Sequence, residues 1–517
     1  GFAETKTARE AKQRKEEKRS NIMYAVIAIA FVVVAVVTLT WKSGIVQRKA
    51  TAATINGQNY TSAEVDYYYK TVYQNFVNNY SSYLSYFGLD TSKSLKSQSC
   101  PMDENGGTWY DYFMDQALTQ MSSVHALNDA AAADGYTWND DMQSQLDTQL
   151  ESLKSSVEAY NTNYKANVSE GAYLKLLYGS IMTKGVYEEQ MRLSIMAQSY
   201  SNDYVDSLTY TTSELTDAYN EDPNSYDVVN YESVQIDGSV KTDDTAAGDA
   251  ASSAASSEAA EPTDEEKAAA LENAKSIADT MLAAYKDGES LSDLADGNDL
   301  ATYTDGQDGT YSDSVLMNWL FDDSRKAGDS AVLADEANST YYVVTFGDRS
   351  RQNYETVDVR HILIKPEATT LAEDDEGYAD DVAEKKAAAE KKANDLLAQW
   401  KSGAATEDSF ADLANENSDD TGSNTKGGLY EQIYKGQMVA EFSDWCFDSA
   451  RKSGDTGVVY SESTGYHVLY FVGTDLPYWQ VQVTNSLKNN DYSDWYTSKT
   501  ESYKAEQHSF GMGFIAA

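Results

Sequence analysis

A segment that occurs twice constrains the fold of this chain more than any other feature. Residues 318–329 read NWLFDDSRKAGD and residues 444–455 read DWCFDSARKSGD, and the two copies align without a gap. Four short apolar runs that predict β-strands accompany the copies, one before and one after each: 231–236, 341–346, 359–364 and 466–472. Self-similarity at a constant offset is typical of repeated structural units. The sequence therefore predicts two tandem α+β modules, at residues 228–350 and 354–476.

Two of the four histidines of the chain lie within the predicted strands of the second module. His361 is in the run VRHILI, and His467 is in the run GYHVLYFV. A polar ring inside a buried strand must find hydrogen-bond partners, because its burial is otherwise costly. The first module has Ser233 and Tyr342 at the corresponding positions. On spacing alone, the two histidines could form one functional pair or be unrelated structural residues.

The composition limits the classes of function. At 517 residues with 41% hydrophobic residues, the chain is long enough for three or more packed domains. A formal net charge of −43 argues against nucleic-acid binding, which needs a basic surface, and we interpret this acidity as a solvated surface. Cys100 and Cys446 cannot form a disulfide framework, and no Cys/His spacing typical of a metal site occurs. We therefore expect no metal and no other cofactor.

An apolar run near the start of the sequence predicts a membrane helix. Residues 22–40 carry no charge and are mostly aliphatic, which matches the length of a bilayer span. We predict a transmembrane helix at 21–41 and a cytoplasmic tail at 1–20, because the basic flank comes first. A cleaved signal peptide is the alternative, although the run is long for one. The bulk of the chain is then expected outside the cytoplasmic membrane.

The residues that follow the predicted membrane helix have a helical pattern. Asn56-Gly57 predicts the turn of a β-hairpin, and Thr61 with Glu64 predicts a capping box at the start of the first helix. Later helices are expected around four ranges: 109–133, 140–160, 169–207 and 212–220. Tyr- and Met-rich stripes on these helices favour a packed core, although some could line a groove for unfolded chains.

We assign residues 50–227 to one helical domain. Residues 478–517 are expected to complete it with a helix around 493–507, because an isolated tail helix needs a partner surface. The Ala/Ser/Asp/Glu-rich stretch 237–262 is interpreted as a flexible loop inserted in the first module. A capped helix over 263–286 is expected to follow it.

Several motifs of the second module together resemble a parvulin-type peptidyl-prolyl isomerase domain. They occur in the order typical of that family: VRHILI at 359–364, FADLA at 410–414, NSDD at 417–420, GGL at 427–429, GQMVAEF at 436–442 and TGYH at 464–467. The hairpin start and the domain order resemble, more loosely, the chaperone part of extracytoplasmic foldases of the PrsA and SurA type. The resemblance implies an α+β multidomain fold: an N-terminal membrane helix, a helical chaperone domain and two parvulin-like modules with antiparallel sheets.

The resemblance also implies roles for individual residues. His361, Asp420 and His467 would form a catalytic hydrogen-bonded set. Five further residues would bind the proline of the substrate or support the pocket and the histidines: Leu429, Met438, Phe442, Phe447 and Thr464. The segment YEQIY at 430–434 departs from the family pattern, which has a glycine and an aromatic residue after Leu429.

The implied function is cis–trans isomerisation of X–Pro bonds in unfolded or partly folded secreted proteins, combined with a chaperone activity and without a cofactor. The first module lacks both histidines and the GQM segment, so we expect it to be catalytically silent. One alternative is a holdase that uses both modules as binding scaffolds without catalysis. Another is a membrane-tethered assembly factor with one dedicated partner.

Overall fold

The structure of this protein, a computed structural model, describes residues 6–241 and 261–516. Most of the loop expected at 237–262 therefore lies outside the described residues. The chain divides into two compact units, and each is described separately below. The first comprises Gly1–Thr209 with Lys488–Ala517, and the second comprises Tyr210–Leu487.

A hydrophobic helix opens the first unit. Helix α1 spans Lys6–Lys42, so the charged residues that precede the apolar run belong to the same helix as the run itself. The part from Lys12 to Lys42 has a most apolar window of mean hydropathy 2.9, none of which is buried. This helix is long and apolar enough to cross a membrane, and its length and composition fit either an anchor or a signal sequence.

The first unit continues with a hairpin and a set of helices. Its elements up to residue 207 are α2 Ile45–Lys49, β1 Thr51–Ile55, β2 Gln58–Thr61, α3 Ser62–Asn79, α4 Trp109–Ala133, α5 Asp140–Tyr164, α6 Glu170–Tyr178 and α7 Lys184–Ser207. Asn56 and Gly57 have φ of 48° and 77°, as a two-residue hairpin turn requires. The Thr61 side chain accepts from the Glu64 N–H and the Glu64 carboxylate accepts from the Thr61 N–H. The predicted hairpin and capping box are thus confirmed.

The prediction of one helix over 169–207 is wrong. Helix α6 ends at Tyr178, and Gly179 has a φ of 102°, which interrupts the helical path. Thr183 then starts α7 as its cap, because its side chain accepts from the Val186 N–H. The apolar periodicity continues on both sides of this break, so it did not reveal the interruption.

Large aromatic side chains form the core of the first unit. Tyr68 and Tyr69 on α3 and Trp109 and Phe113 on α4 are all at most 1% exposed. Rings of this size bury large apolar areas and dominate the energetics of a core. The tyrosine stripe of α3 is therefore mainly core, as the pattern favoured.

The second unit contains both copies of the repeated segment. A short helix and the first module comprise α8 Thr212–Glu221, β3 Asp227–Asp237, α9 Asp264–Lys286, α10 Leu291–Asp296, β4 Ala301–Thr310, α11 Val315–Leu320, β5 Ser330–Asp335 and β6 Thr340–Arg351. The second module comprises β7 Glu355–Ile364, α12 Tyr378–Ser402, α13 Glu407–Asn417, β8 Leu429–Ile433, α14 Ala440–Cys446, β9 Thr456–Ser461 and β10 Gly465–Pro477. The helix expected after Thr263 is present and capped by it.

The two modules have the same sheet topology. The strand orders are β4-β3-β6-β5 in the first and β8-β7-β10-β9 in the second, and every pairing is antiparallel. The repeated segments also make matching contacts. Arg325 lies over the ring of Trp319 at 4.3 Å, and Arg451 lies over the ring of Trp445 at 3.8 Å. The self-similarity of the sequence therefore corresponds to a duplicated α+β unit.

The sheet of the second module separates two apolar clusters. Ile362 and Ile364 face α12 and α13, whose buried residues include Phe410. Val359 and Leu469 face the other side, where they pack with Phe442 of α14. Because side chains alternate along a strand, His361 lies on the Val359 side, next to α14.

The chain after β10 differs from its prediction. Helix α15 spans Tyr478–Thr500, β11 spans Ala505–Gln507 and α16 spans Ser509–Met512. The helix starts earlier than residue 493, because Trp479 and Val483 are buried beside Leu215 of α8 in the second unit. It also ends before residue 507. Residues 505–507 instead pair with β1 in the first unit, which gives the edge of the hairpin a partner.

Candidate active site

Two histidines from neighbouring strands meet on one face of the second sheet. In the pairing of β7 with β10, His361 lies opposite Leu469 and His467 lies opposite Leu363, so the histidines are diagonal neighbours. Side chains in that relation lie within reach of one another. Their Nδ1 atoms are 3.3 Å apart, and both rings are buried. The structure thus brings together the two residues that the sequence singled out.

Asp420 lies next to His361, on the side of the ring opposite to His467. Its Oδ2 is 2.9 Å from Nε2 of His361. The same oxygen accepts from the Ser423 hydroxyl at 2.5 Å and from the Tyr430 hydroxyl at 3.0 Å, while Oδ1 accepts from the Gly422 N–H at 3.1 Å. The carboxylate is therefore held by donors on both of its oxygens.

The electrostatics favour an ionised Asp420 beside neutral histidines. Burial raises the pKa of Asp420, but hydrogen bonds from Ser423 and His361 and from the Gly422 backbone outweigh it and lower this pKa to about 2. Burial lowers the pKa of His361 despite the opposing effect of Asp420. Burial, together with the neighbouring His361, lowers the pKa of His467 to about 4. At neutral pH the site thus carries one negative charge.

One arrangement of protons satisfies every polar atom along this line. Nε2 of His467 is 2.8 Å from Oγ1 of Thr464, which can donate its hydroxyl proton. His467 then donates from Nδ1 to Nδ1 of His361, and His361 donates from Nε2 to Asp420. Both rings are neutral in this arrangement, in agreement with the direction of both pKa shifts. The hydrogen bonds therefore run in one direction from Thr464 to the carboxylate.

Phe442 forms an apolar wall against both imidazoles. Its ring meets His361 edge-on at 5.6 Å and His467 edge-on at 5.4 Å, and it is fully buried. Met438 is partly exposed and packs against the same cluster. Phe447 belongs to this cluster too, and its ring contacts the ring of Tyr354 at 6.0 Å. Phe442 and Met438 thus have positions suited to hold a proline ring.

The assignment of Leu429 to the pocket is not supported by the strand register. Leu429 pairs with Arg360, whereas Tyr430 pairs with Val359. Paired residues lie on the same face of a sheet, so Leu429 points away from the histidines and Tyr430 points toward them. The Tyr430 ring lies 5.3 Å from the ring of His361. Tyr430, rather than Leu429, therefore lies on the face of the sheet that carries the histidines.

The loop between α13 and β8 positions Asp420 over β7. The Asp419 N–H donates to the Leu363 carbonyl at 2.8 Å, and the Leu363 N–H donates to Oγ of Ser418 at 3.0 Å. At its other end, the His361 N–H donates to the Gly428 carbonyl at 2.9 Å. Gly428 has a φ of 69°, and a Cβ there would lie 2.2 Å from the His361 carbonyl oxygen. The close approach of loop and strand thus requires glycine.

Ser423 and Tyr430 are the residues of this network that the sequence did not reveal. Ser423 lies in a turn, and Tyr430 lies at the start of the short strand β8. The spacing of Ser423 three residues after Asp420 is typical of local side-chain bonding in turns and was the available signal. For Tyr430 the signal was its departure from the family pattern.

The first module has a different set of residues at this place. Two pairs of cross-strand contacts correspond between the modules: Ser233–Val344 with His361–Leu469, and Gln235–Tyr342 with Leu363–His467. Ser233 and Tyr342 thus occupy the two histidine positions, as the repeat predicts. In the first module, the residues of β3 that pair with β4 include Ser233 and extend to Ile236. In the second module, the pairing of β7 with β8 stops at Arg360, one residue before His361. A regular strand in the first module therefore replaces the loop that carries Asp420 in the second.

Among residues 6–241 and 261–516, no cluster of three or more His, Cys, Asp or Glu side chains could hold a metal ion. Cys100 and Cys446 are both buried and unpaired.

Comparison with known proteins identifies the domain that holds this site. Residues 341–473 match the family described as the PPIC-type PPIASE domain. The chain is 27% identical over 170 residues to foldase protein PrsA 1 of Listeria innocua, which is 33% of this chain and 48% of that protein. The chain thus spans about half of the length of this curated relative.

Three solved structures of bacterial proteins are also similar to this chain. PrsA from Bacillus subtilis is 13% identical, with 78% of this chain and 92% of that chain covered and a TM-score of 0.30. Peptidylprolyl isomerase PrsA from Bacillus anthracis is 23% identical, with 32% and 58% covered and a TM-score of 0.18. A SurA-like chaperone of Campylobacter jejuni is 25% identical, with 28% and 51% covered and a TM-score of 0.17. The chain contains a parvulin-type peptidyl-prolyl isomerase domain of the PPIC family and is homologous, over part of its length, to foldases of the PrsA type.

Proposed function

We propose that this protein is a membrane-anchored extracytoplasmic foldase whose second module, residues 354–476, isomerises X–Pro bonds. The observation that carries the proposal is the line of hydrogen bonds from Thr464 through His467 and His361 to Asp420, set against the ring of Phe442. His361, His467 and Asp420 act as the catalytic residues. Met438 and Phe442 bind the proline ring, with Phe447 as support behind them.

The reaction matches these residue types. Rotation about an X–Pro bond crosses a barrier of about 18–20 kcal/mol, which amide resonance sets. No covalent bond is made or broken, so the site needs no strong nucleophile. It must hold the proline and favour the twisted amide over both planar forms. An apolar wall can hold the ring, and fixed hydrogen-bond dipoles can stabilise the altered charge of the twisted carbonyl.

The helical part of the first unit supplies a candidate surface for unfolded clients. A cavity of about 430 Å³ lies along α3 and α4, and Val72, Phe76, Phe113 and Tyr496 are among its lining residues. Asn and Gln side chains share the same lining, at Asn75, Asn79, Gln116 and Gln120. Aromatic rings and amide groups together suit an extended polypeptide, since they offer apolar contact and backbone hydrogen bonds. We assign client binding to this part of the helical domain that the sequence predicts at residues 50–227 and 478–517.

The proposed location follows from α1. Its apolar part would cross the cytoplasmic membrane once, with residues 1–20 on the cytoplasmic side and the rest outside, because the basic residues precede the span. The clients would be unfolded or partly folded secreted proteins that contain X–Pro bonds. The first module, residues 228–350, would be silent in catalysis.

The test is cis–trans exchange of a short X–Pro peptide, followed by NMR on the peptide in the presence of the full chain in detergent. The wild-type chain should accelerate exchange, and His467→Ala should abolish the acceleration. His508→Ala is the matched control, because that histidine contacts Thr54 in the first unit. It should leave the rate unchanged.

A folded wild-type chain without any effect on exchange would exclude the isomerase proposal. The alternative holdase function, in which both modules only bind clients, would then remain. It predicts that His467→Ala suppresses the aggregation of an unfolded client as well as the wild-type chain does.

A further inference from the structure

Aromatic side chains from two distant parts of the sequence meet where α1 ends. The ring of Phe514 meets the ring of Trp41 edge-on at 6.1 Å, and the ring of Phe510 meets Phe514 at 5.1 Å. Phe510 is nevertheless 63% exposed and Trp41 is 50% exposed. Ile45 on α2, close to the same place, is also exposed. Exposed apolar side chains that gather in one patch mark a binding surface more often than scattered ones do.

The segment that carries Phe510 is firmly held by its other face. Met512 and Ile515 are buried in the aromatic core of the first unit. The Ser62 hydroxyl donates to the Gly511 carbonyl at 2.7 Å, in a buried position. A Cβ at Gly511 would lie 2.1 Å from the Thr51 carbonyl oxygen, so this backbone lies directly against β1. The exposure of Phe510 is therefore a fixed feature of the fold.

The two sequence segments that form this patch have a charge opposite to that of the chain as a whole. The sequence has 83 acidic residues, yet none lies between Glu17 and Glu64 and none in 507–516. Lys42, Arg48 and Lys49 lie in the first of these ranges. Among the described residues, neither Lys42 nor Lys49 takes part in an ion pair. A local basic patch on such an acidic protein calls for an anionic partner.

The surface of an anionic bilayer offers both an apolar environment for the exposed side chains and negative charge for the basic residues. Trp prefers the headgroup level, where its apolar body is buried and its N–H stays hydrated, and Phe side chains can be buried at the boundary between headgroups and acyl chains. Each Lys or Arg near an anionic leaflet adds about 1 kcal/mol of attraction. The patch is continuous with the apolar span of α1, since Trp41 is next to its last residue, Lys42.

We propose that this patch is a collar that lies in the headgroup region of an anionic bilayer at the point where α1 leaves the membrane. The collar consists of Trp41, Ile45, Phe510 and Phe514, with the basic residues Lys42, Arg48 and Lys49. It holds the base of the first unit against the membrane through a second contact besides α1. The inference rests on the proposed role of α1 as an anchor.

The experiment places an environment-sensitive fluorophore at Ser509→Cys in the full chain. Ser509 is exposed and adjoins Phe510, and the native cysteines are both buried, so labelling is selective. The chain is reconstituted into bilayers of zwitterionic lipid with or without anionic lipid, which carry a quencher near the headgroups. A label at Tyr164→Cys, an exposed position on α5, is the matched control. We expect quenching at residue 509 at least about twofold above that at residue 164, with a blue shift of the emission.

Two further variants test the parts of the collar. Phe510→Asp in the Ser509→Cys background should reduce the quenching to the level of residue 164, and it should fold because the replaced ring is exposed. Replacement of Lys42, Arg48 and Lys49 by Gln should remove the difference between anionic and zwitterionic bilayers. Equal quenching at residues 509 and 164 in the unmodified collar would overturn the inference.

A label within α1 separates this inference from the proposed anchor. Val33→Cys should be reached by a quencher at the centre of the bilayer. If residue 33 is quenched and residue 509 is not, the anchor stands and the collar is wrong. If residue 33 is not quenched, the anchor fails, and the collar fails with it.

Discussion

At the scale of single residues, Asp420 sets the electrostatics of the candidate site. Its two oxygens accept four hydrogen bonds, from the side chains of His361, Ser423 and Tyr430 and from the Gly422 N–H. A carboxylate held by that many donors stays ionised far below neutral pH. The fixed charge explains why His361 must present Nε2–H to Asp420 and Nδ1 to His467. In the proposed function, the proline amide would meet a network of oriented dipoles in which no proton needs to move.

Loss of the Tyr430 hydroxyl should weaken this network without dismantling it. Tyr430→Phe removes one of the donors to Asp420 while it keeps the ring beside His361. We expect the isomerisation rate to fall about threefold to tenfold, since a partly exposed hydrogen bond to a charged group contributes about 1 kcal/mol. Peptide exchange measured by NMR would show the effect. Tyr434→Phe is the matched control, because its ring stacks on Tyr478 and its hydroxyl does not bond to Asp420; an equal loss in both variants would contradict the assignment.

The lowered pKa of His467 predicts a loss of stability in acid. The unfolded chain binds a proton at this histidine near pH 6.5, whereas the folded chain binds it near pH 4. Between these values the unfolded state carries more protons, so the free energy of unfolding decreases as pH falls. The stabilisation is complete above pH 6.5, and about 3 kcal/mol is lost by pH 4. Denaturant titrations of the full chain between pH 7 and pH 4 would measure it. For His467→Gln, the free energy of unfolding should decrease by about 3 kcal/mol less over the same pH range. An equal decrease in the variant and the wild-type chain would refute the lowered pKa of His467.

At the scale of elements, the loop over residues 418–428 brings Asp420 to the histidines on β7 and β10. The backbone bonds of Asp419 and Gly428 join both ends of this loop to β7. The sequence could predict β7 and β10, because apolar alternation and β-branched residues indicate strands. It could not predict the register between β7 and β8, and a shift of one residue exchanges the faces of Leu429 and Tyr430. The strands around the site could therefore be predicted, whereas the side of the sheet on which the Tyr430 hydroxyl lies could not.

Substitution at Gly428 should separate the loop from the strand. An Ala there would combine a positive φ with a Cβ 2.2 Å from the His361 carbonyl oxygen, so the backbone must shift. We expect Gly428→Ala to destabilise the chain by about 2–4 kcal/mol and to abolish isomerisation. Gly454→Ala is the matched control: its φ of 88° is similar, but the nearest atom lies 4.0 Å away. Its cost should be about 1 kcal/mol with activity retained. Thermal unfolding and peptide exchange on both variants would decide, and similar stability losses would rule out the close contact.

At the scale of the whole molecule, the duplication explains both what the sequence revealed and what it concealed. The matching segments around Trp319 and Trp445 were sufficient to predict two α+β modules. The loss of histidines in one copy was also visible, at Ser233 and Tyr342. The second difference between the modules lies in the segment that joins a helix to the following edge strand, α13 to β8 in the second module and α10 to β4 in the first. The first module replaces the Asp420 loop by a continuous strand pairing, and a comparison of residue types alone does not show that change.

Histidines alone should therefore not activate the first module. We predict that Ser233→His with Tyr342→His, introduced into the His467→Ala chain, restores no peptide exchange. A new imidazole pair would lack a carboxylate partner, because β4 pairs with β3 past Ser233 where the second module has its loop. The wild-type chain is the positive control, and thermal unfolding verifies that the variant folds. Recovery of exchange in that variant would mean that the histidine pair suffices and that Asp420 and its loop are dispensable. An absence of recovery would support the proposal that the first module is silent because of its backbone as well as its side chains.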